Sequence, residues 1–91
     1  MIAQKFALII VDPHGKELGT EDVRSWLDEA TGKVAPDREV VIDTFGDYSY
    51  GRIFKGTVAL RDAKEISAAE LRRCLEIEAD LKFQFHDIQK L

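Results

Sequence analysis

Residues 39–45, EVVIDTF, and residues 52–61, RIFKGTVALR, decide the fold of this 91-residue chain. Both runs are rich in β-branched and aromatic residues, which is typical of strands. The segment between them, GDYSYG, has a glycine at each end and favours a turn. The sequence therefore predicts a hairpin of two antiparallel strands in the middle of the chain.

The second strand of this hairpin has two different faces. We predict that Phe54, Val58 and Leu60 point into the core. The alternate residues of the strand point the other way: Lys55, Thr57, Ala59 and Arg61. Gly56 falls in the inward set, so we expect either a bulge there or a close approach of the neighbouring strand.

A segment with helical periodicity flanks the hairpin on each side. Thr20 is predicted as the N-cap of the first helix, and Gly32 is predicted to end it in a left-handed conformation. The apolar stripe of this helix comprises Val23, Trp26, Leu27 and Ala30. The second helix is predicted to begin at a capping box, SAAE at residues 67–70, with Ile66 and Leu71 as its hydrophobic staple. Its stripe continues through Cys74 and Leu75, and we interpret Cys74 as a small core residue.

A further strand is predicted outside each helix. Residues 5–11, KFALIIV, are apolar on both faces, which is typical of a central strand. Residues 81–85, LKFQF, alternate, with the leucine and both phenylalanines predicted to point inward. The predicted order is therefore strand, helix, strand, strand, helix, strand.

This order resembles the ferredoxin-like superfold, a β-α-β-β-α-β split sandwich of the α+β class. The resemblance covers residues 1–91 as a single domain. It implies a four-stranded antiparallel sheet with both helices on one face, leaving the opposite face open. The superfold hosts many activities, so the resemblance alone implies no function.

Composition narrows the class of function. The net charge of −4 and pI near 5.1 argue against a nucleic-acid-binding protein, because affinity for phosphates needs clustered Lys and Arg. The longest apolar run, residues 6–11, is too short to span a bilayer, so we expect a cytoplasmic protein. Cys74 is the single cysteine and has no partner for an internal disulfide. No spacing predicts a metal site, and we expect no cofactor.

The open face of the predicted sheet is unusually apolar. Ile9 and Val11 from the first strand, with Ala7, lie beside residues of the third strand: Ile53, Thr57 and Ala59. Exposed apolar patches of this kind often mark interfaces, so we expect homodimerisation, or capture of a protein partner, through this face. The alternative is that residues 88–91 fold across the face and cover it.

The end of the hairpin is a second candidate surface. It comprises Phe45, Asp47, Tyr48, Tyr50 and Arg52. Aromatic side chains on a glycine-bounded loop present a large contact area, so this end is a candidate binding site for a protein or a small ligand. The alternative is that the rings only pack against the end of the sheet.

Two histidines are the candidates for catalysis. His14 is predicted to lie in a turn and His86 near the end of the last strand, on its outer face. Neither has a nucleophile or metal ligand at a diagnostic spacing. The element order is also similar to that of dimeric α/β-barrel monooxygenases, which pair through the sheet face. That resemblance implies, as the alternative function, a small enzyme using His86 or His14 as acid or base. The preferred hypothesis is a non-enzymatic binding or regulatory module.

Overall fold

A four-stranded sheet and two helices make up the described part of the protein. The structure, a computed structural model, describes residues 3–12, 19–48, 51–79 and 84–91. The elements are β1 (Gln4–Asp12), α1 (Thr20–Val34), β2 (Asp37–Tyr48), β3 (Gly51–Arg61), α2 (Ala68–Ala79) and β4 (Gln84–Lys90). The strands lie in the order β2-β3-β1-β4, and every neighbouring pair is antiparallel. The predicted ferredoxin-like fold of the α+β class is confirmed.

The core lies between the sheet and the helices. From the sheet it takes Phe6, Leu8, Ile10, Ile42, Phe54, Val58, Leu60 and Phe85. From the helices it takes Val23, Leu27, Ala30, Leu71 and Leu75, all buried. Trp26 is half-buried and packs against this cluster, in line with its predicted place in the stripe of α1. The predicted inward sets of β3 and both helices are therefore confirmed in their main members.

Gly56 permits a close approach of β2 to β3. A Cβ atom built at this position would lie 2.3 Å from Ile42 Cδ1 and 2.3 Å from the Val41 carbonyl oxygen. The pairing register is continuous through Gly56, so no bulge occurs there. Of the two expectations for this glycine, close packing is the one observed.

The ends of α1 differ from those predicted. Gly19, and not Thr20, is the N-cap residue, and its N–H donates to Asp22 Oδ2 at 2.8 Å. Gly32 lies inside the helix, which continues to Val34 and ends where the Ala35 N–H bonds the Thr31 carbonyl at 2.8 Å. The predicted glycine termination is wrong because the backbone turns out of the helix just before Pro36, with Ala35 in an extended conformation.

Gly32 has a different role, which involves Arg38. A Cβ at Gly32 would meet the Arg38 guanidinium at 2.9 Å. That guanidinium donates to the Asp28 carbonyl at 3.2 Å, to Asp28 Oδ2 at 3.0 Å and to the Pro36 carbonyl at 2.9 Å. The missing side chain therefore makes room for an arginine that joins α1 to the start of β2.

The start of α2 is as predicted. The Glu70 N–H donates to Ser67 Oγ at 3.1 Å, and Ser67 Oγ donates to Glu70 Oε1 at 3.1 Å. Ile66 packs against the core beside the buried Leu71, as a hydrophobic staple requires. Cys74, however, is half-buried rather than buried, so its interpretation as a core residue is wrong: the helix turns it toward the groove beside α1.

The hairpin is longer than predicted. The ladder continues beyond the predicted strand ends, pairing Gly46 with Ile53, Asp47 with Arg52 and Tyr48 with Gly51. Residues 46–48 therefore belong to a strand and not to a loop. The register shifts by one residue at Phe45, and this bulge lets the pairing resume on its far side.

The last strand extends further along the chain than predicted. It runs from Gln84 to Lys90, and residues 81–83 lie outside the described part of the chain. Phe85 is buried and Gln84 exposed, as predicted. The register with β1 shifts by one residue at His86, so that Ile88 returns to the core side opposite Leu8. The alternation alone could not indicate this bulge.

Candidate functional site

The two faces of β1 are covered differently. Phe6, Leu8 and Ile10 point toward the helices and are fully buried. Ala7, Ile9 and Val11 point to the opposite face and are half-buried. Both faces of β1 are apolar, as predicted. Among the described residues, the helices cover one of these faces and leave the other open.

The open face is defined here by the side chains that the strand registers place opposite the helices. It comprises Asp37, Glu39, Val41 and Asp43 from β2; Ile53, Lys55, Thr57, Ala59 and Arg61 from β3; Lys5, Ala7, Ile9 and Val11 from β1; and Gln84, Asp87 and Gln89 from β4. Antiparallel pairing aligns them in rows across the sheet. One row reads Val41, Thr57, Ala7, Gln89, and the next reads Asp43, Lys55, Ile9, Asp87.

The middle of the open face is apolar. Ile9 and Val11 lie in β1 beside Ile53 in β3, and all three are half-buried within the monomer. Ala59 is only 8% exposed, because the register places the longer side chains of Glu39 and Lys5 on either side of it. The predicted interface residues are thus brought together on one face, with Thr57 exposed among them.

One apolar residue of this face, Val41, and the arrangement of the charged residues were not predicted from the sequence. Val41 is 46% exposed at its β2 edge. The alternation in EVVID, with Val40 and Ile42 turned toward the core, is the signal that could have located it. The charged side chains form a pattern that only the register between strands reveals. Lysines lie in the two middle strands, at Lys5 and Lys55.

Carboxylates on the open face lie in the two outer strands. Glu39 and Asp43 belong to β2, and Asp87 belongs to β4. Arg61, next to the β2 edge, lies 3.8 Å from Glu39 and 3.5 Å from Asp37. The face therefore has apolar side chains and two lysines in its middle strands, and carboxylates in its outer strands.

The C-terminal residues do not cover this face. Ile88 and Lys90 belong to the edge strand β4, and the Leu91 N–H continues the ladder by donating to the Lys5 carbonyl at 2.8 Å. The alternative in which residues 88–91 fold across the sheet is wrong. These residues complete the sheet at its edge because their backbone groups pair with β1.

Side chains of β1 and β4 form hydrogen bonds with the segment before α2. Gln4 accepts the Ile66 N–H at 2.8 Å and donates to the Lys64 carbonyl at 3.1 Å. Lys90 Nζ donates to the Ile66 carbonyl at 2.9 Å and lies 5.8 Å from the centre of the Phe6 ring. Because both side chains meet at Ile66, this cluster holds β1, β4 and the start of α2 together.

The predicted binding residues of the hairpin are only partly within the described chain. Phe45, Asp47 and Tyr48 lie in β2, and Tyr50 lies outside the described residues. Arg52 is half-buried in β3, where the register pairs it with Asp12 on one side and Asp47 on the other. Asp12 is itself buried, at 2% exposed. An aspartate and an arginine therefore occupy paired positions at this end of the sheet.

One of the two candidate catalytic histidines lies within the described structure. His86 is exposed in β4, at the register shift, and His14 lies outside the described residues. Within residues 3–12, 19–48, 51–79 and 84–91, no group of three His, Cys, Asp or Glu side chains is placed to hold a metal ion. Neither helix in those ranges is long and apolar enough to cross a membrane.

The helical side carries shallow depressions of different character. One of about 500 Å³ is apolar and lies between the helices, lined by Ala30, Lys33, Val34, Cys74 and Ile77. Another, of about 390 Å³, is lined by Glu21, Arg24, Ser25, Asp28 and Val40. Both are open to solvent, and in the second the Arg24 guanidinium is paired with Glu21 at 2.9 Å.

The fold links this chain to a very common arrangement of helices and strands. The chain matches no protein-family model, and comparison with curated proteins and with solved structures found no significant match. A shared arrangement of elements does not carry a function with it.

Proposed function

We propose that the protein is a small non-enzymatic binding module that acts as a homodimer through the open face of its sheet. The observation that carries this proposal is the half-buried strip of Ile9, Val11 and Ile53 at the centre of that face. Burying such a strip against a second copy removes apolar surface from water, while the charged rim stays hydrated or forms pairs.

The edges of the sheet favour association through the face. Each edge strand contains a register shift, at Phe45 in β2 and at His86 in β4. Bulges disrupt the row of backbone donors and acceptors that another strand would pair with, and they twist an edge away from a partner. Edge-to-edge growth of the sheet is therefore disfavoured, and the open face is the better surface for a second copy.

Recognition of a further protein or small ligand is assigned to the end of the hairpin, near Arg52. The long β2 and β3 strands support this end, and turns carried on a rigid scaffold commonly bind partners. The half-buried Cys74 is the only cysteine in the chain, which fits the reducing cytoplasm in which we place the protein.

Sedimentation equilibrium tests the homodimer directly. We expect the mass to rise from that of one 10.3 kDa chain toward twice that value as concentration increases through the micromolar range. A mass equal to one chain at every concentration would contradict the proposal and leave the face to a different protein.

A matched pair of substitutions locates the interface. Ile9→Glu puts a charge in the apolar strip, so we expect it to abolish the dimer. Ile77→Glu is the control, because Ile77 is 72% exposed on the helical side and should leave the dimer unchanged. Thr57→Glu repeats the test at a side chain that is already exposed, where the substitution should not disturb folding. Circular dichroism checks that each variant is folded.

A further inference from the structure

Each outermost strand of the sheet accepts a hydrogen bond from an arginine of the helix that precedes it. We infer that these arginines, Arg24 and Arg72, close both edges of the sheet against strand addition by a second copy of this chain. The edges are a different surface from the open face, so their closure does not depend on the proposed homodimer.

The β2 edge contains a regular stretch on which another strand could pair. β2 and β4 are the outermost strands in the order β2-β3-β1-β4. An outermost strand has a row of backbone donors and acceptors with no strand beside it, and such a row is a template for strand addition. The register between β2 and β3 is continuous from Asp37 to Thr44, and the bulge at Phe45 interrupts the edge only beyond this stretch.

The Ile42 carbonyl belongs to the outward row of this stretch. The Val41 carbonyl faces β3, because its oxygen would lie 2.3 Å from a Cβ built at Gly56. Backbone groups of successive residues in an antiparallel strand face opposite sides within the plane of the sheet, so the Ile42 carbonyl faces away from β3. Arg24 Nη2 donates to this oxygen at 3.3 Å. The guanidinium therefore occupies the position that an N–H of an added strand would take.

The Arg24 guanidinium is held at the edge by Glu21. This glutamate lies one turn earlier in α1, and its Oε1 accepts from Arg24 Nη1 at 2.9 Å. Arg24 Nε is buried and has no acceptor in the part of the chain that the structure describes. A buried donor without an acceptor costs free energy, so the stability of the monomer is a poor reason for this placement. Closure of the edge supplies a reason.

The β4 edge repeats the arrangement. Arg72 in α2 donates through Nη2 to the Phe85 carbonyl in β4 and through Nε to Glu76 Oε1 at 2.7 Å. At both edges, therefore, the arginine comes from the helix directly before the edge strand, bonds a carbonyl of that strand, and pairs with a glutamate of its own helix. The same combination at two separate edges favours a common role.

Replacement of Arg24 tests the closure of the β2 edge. The background is the full chain carrying Ile9→Glu, which prevents association through the open face and should sediment as a single chain. Adding Arg24→Met keeps an apolar side chain of similar length and removes the donors. We expect this change to raise the average mass in sedimentation equilibrium to that of two chains or more. Arg73→Met, at an exposed arginine of α2, is the matched control and should leave a single chain.

Amide hydrogen exchange locates the association. The N–H groups of Val40 and Ile42 face the edge by the same alternation, so pairing with an added strand should slow their exchange by about tenfold or more. Val40→Pro, combined with Arg24→Met, removes one of these donors and should restore the single chain. Circular dichroism checks that each variant is folded, and the exchange measurement decides the question without Val40→Pro.

The β4 edge is tested by Arg72→Met in the same background. We expect weaker association than with Arg24→Met, because β4 has 7 residues and contains a register shift. If Arg72→Met sediments as a single chain, the inference is wrong for β4.

Two results with Arg24→Met would overturn the inference for β2. One is a single chain with unchanged exchange at Val40 and Ile42, which would limit Arg24 to a contribution to stability. The other is association in which these amides exchange as before, since a different surface would then be responsible. Neither result bears on the proposed homodimer, which is decided by the mass of the wild type.

Discussion

The two faces of β1 have nearly the same composition and different environments. Leu8 and Ile9 are adjacent aliphatic residues, yet Leu8 is 1% exposed beneath the helices while Ile9 is half-buried on the open face. The difference comes from the helices, which both pack on the same side. One face of this strand therefore contributes to folding of the monomer, and the other is the face through which we propose that the chain associates.

Polar groups sharpen the contrast between these faces. On the helical side they lie at the ends of β1, with Gln4 at one end and the buried Asp12 at the other. On the open face, Lys55 lies beside Ile9 in the middle of the sheet. A buried core excludes charge from its centre, whereas an interface can use charge to select a register.

The largest expected effect comes from truncating Leu8. Leu8→Ala removes a fully buried side chain and leaves a cavity, so we expect it to lower the free energy of unfolding by about 3 kcal/mol. Ile9→Ala should lower it by less than about 1 kcal/mol in the monomer while weakening the dimer. Urea unfolding measures both, at a protein concentration low enough to keep the chain monomeric, because dimerisation itself stabilises the fold. Equal losses would contradict the distinction between the faces.

Gly56 and Thr57 are adjacent in β3 but differ in their surroundings: Gly56 packs closely against β2, whereas Thr57 is exposed on the open face. Gly56→Ala adds a methyl group against the Val41 carbonyl, which is backbone and cannot move aside cheaply. We expect a loss of about 2 kcal/mol in the free energy of unfolding. Thr57→Ala, at an exposed position, should change it by less than about 0.5 kcal/mol. Thermal and urea unfolding of both variants measure the difference, and a harmless Gly56→Ala would show that β2 can move away.

Two lysines near the same end of the sheet give a smaller effect. Lys90, on the helical side, bonds the Ile66 carbonyl and lies over Phe6, so we expect Lys90→Ala to cost about 1 kcal/mol of unfolding free energy. Lys5 is exposed on the open face, so Lys5→Ala should leave the free energy of unfolding of the monomer almost unchanged. Comparable losses at the two positions would mean that the cluster around Ile66 adds no stability.

The smallest expected effect is at His86. This residue is the extra one at the register shift of β4 and is exposed, so His86→Ala should change the unfolding free energy by less than about 0.5 kcal/mol. The His86→Ala variant should dimerise with the same dissociation constant as the wild type. A marked loss of either property would give this histidine a structural role that its exposure does not suggest.

Much of the fold could be predicted from the sequence because each element carries a strong local signal. Alternation located the inward residues of β3, and the capping box located the start of α2. Element ends were less accurate. Gly32 was expected to end α1, but the helix continues to Val34 and ends just before Pro36. A glycine inside a helix can instead make room for a neighbouring side chain, as Gly32 does for Arg38.

The candidate site could be predicted only in part. The apolar residues of the open face follow from alternation within single strands, as with Ile9 and Val11. The relation of Lys55 to Asp87 depends on the registers of three strands and on the bulge at His86, none of which is written in any one segment. Contacts that depend on several elements at once are the ones that local patterns do not reveal.

The cluster of Gln4, Ile66 and Lys90 has a consequence for the rates of folding and unfolding. Its hydrogen bonds join residues separated by 62, 24 and 86 positions along the chain. Contacts between such distant segments carry a large loop-closure entropy and tend to form after the transition state. We therefore expect Lys90→Ala to accelerate unfolding while leaving the folding rate almost unchanged. The cluster would then slow the unfolding of the native state.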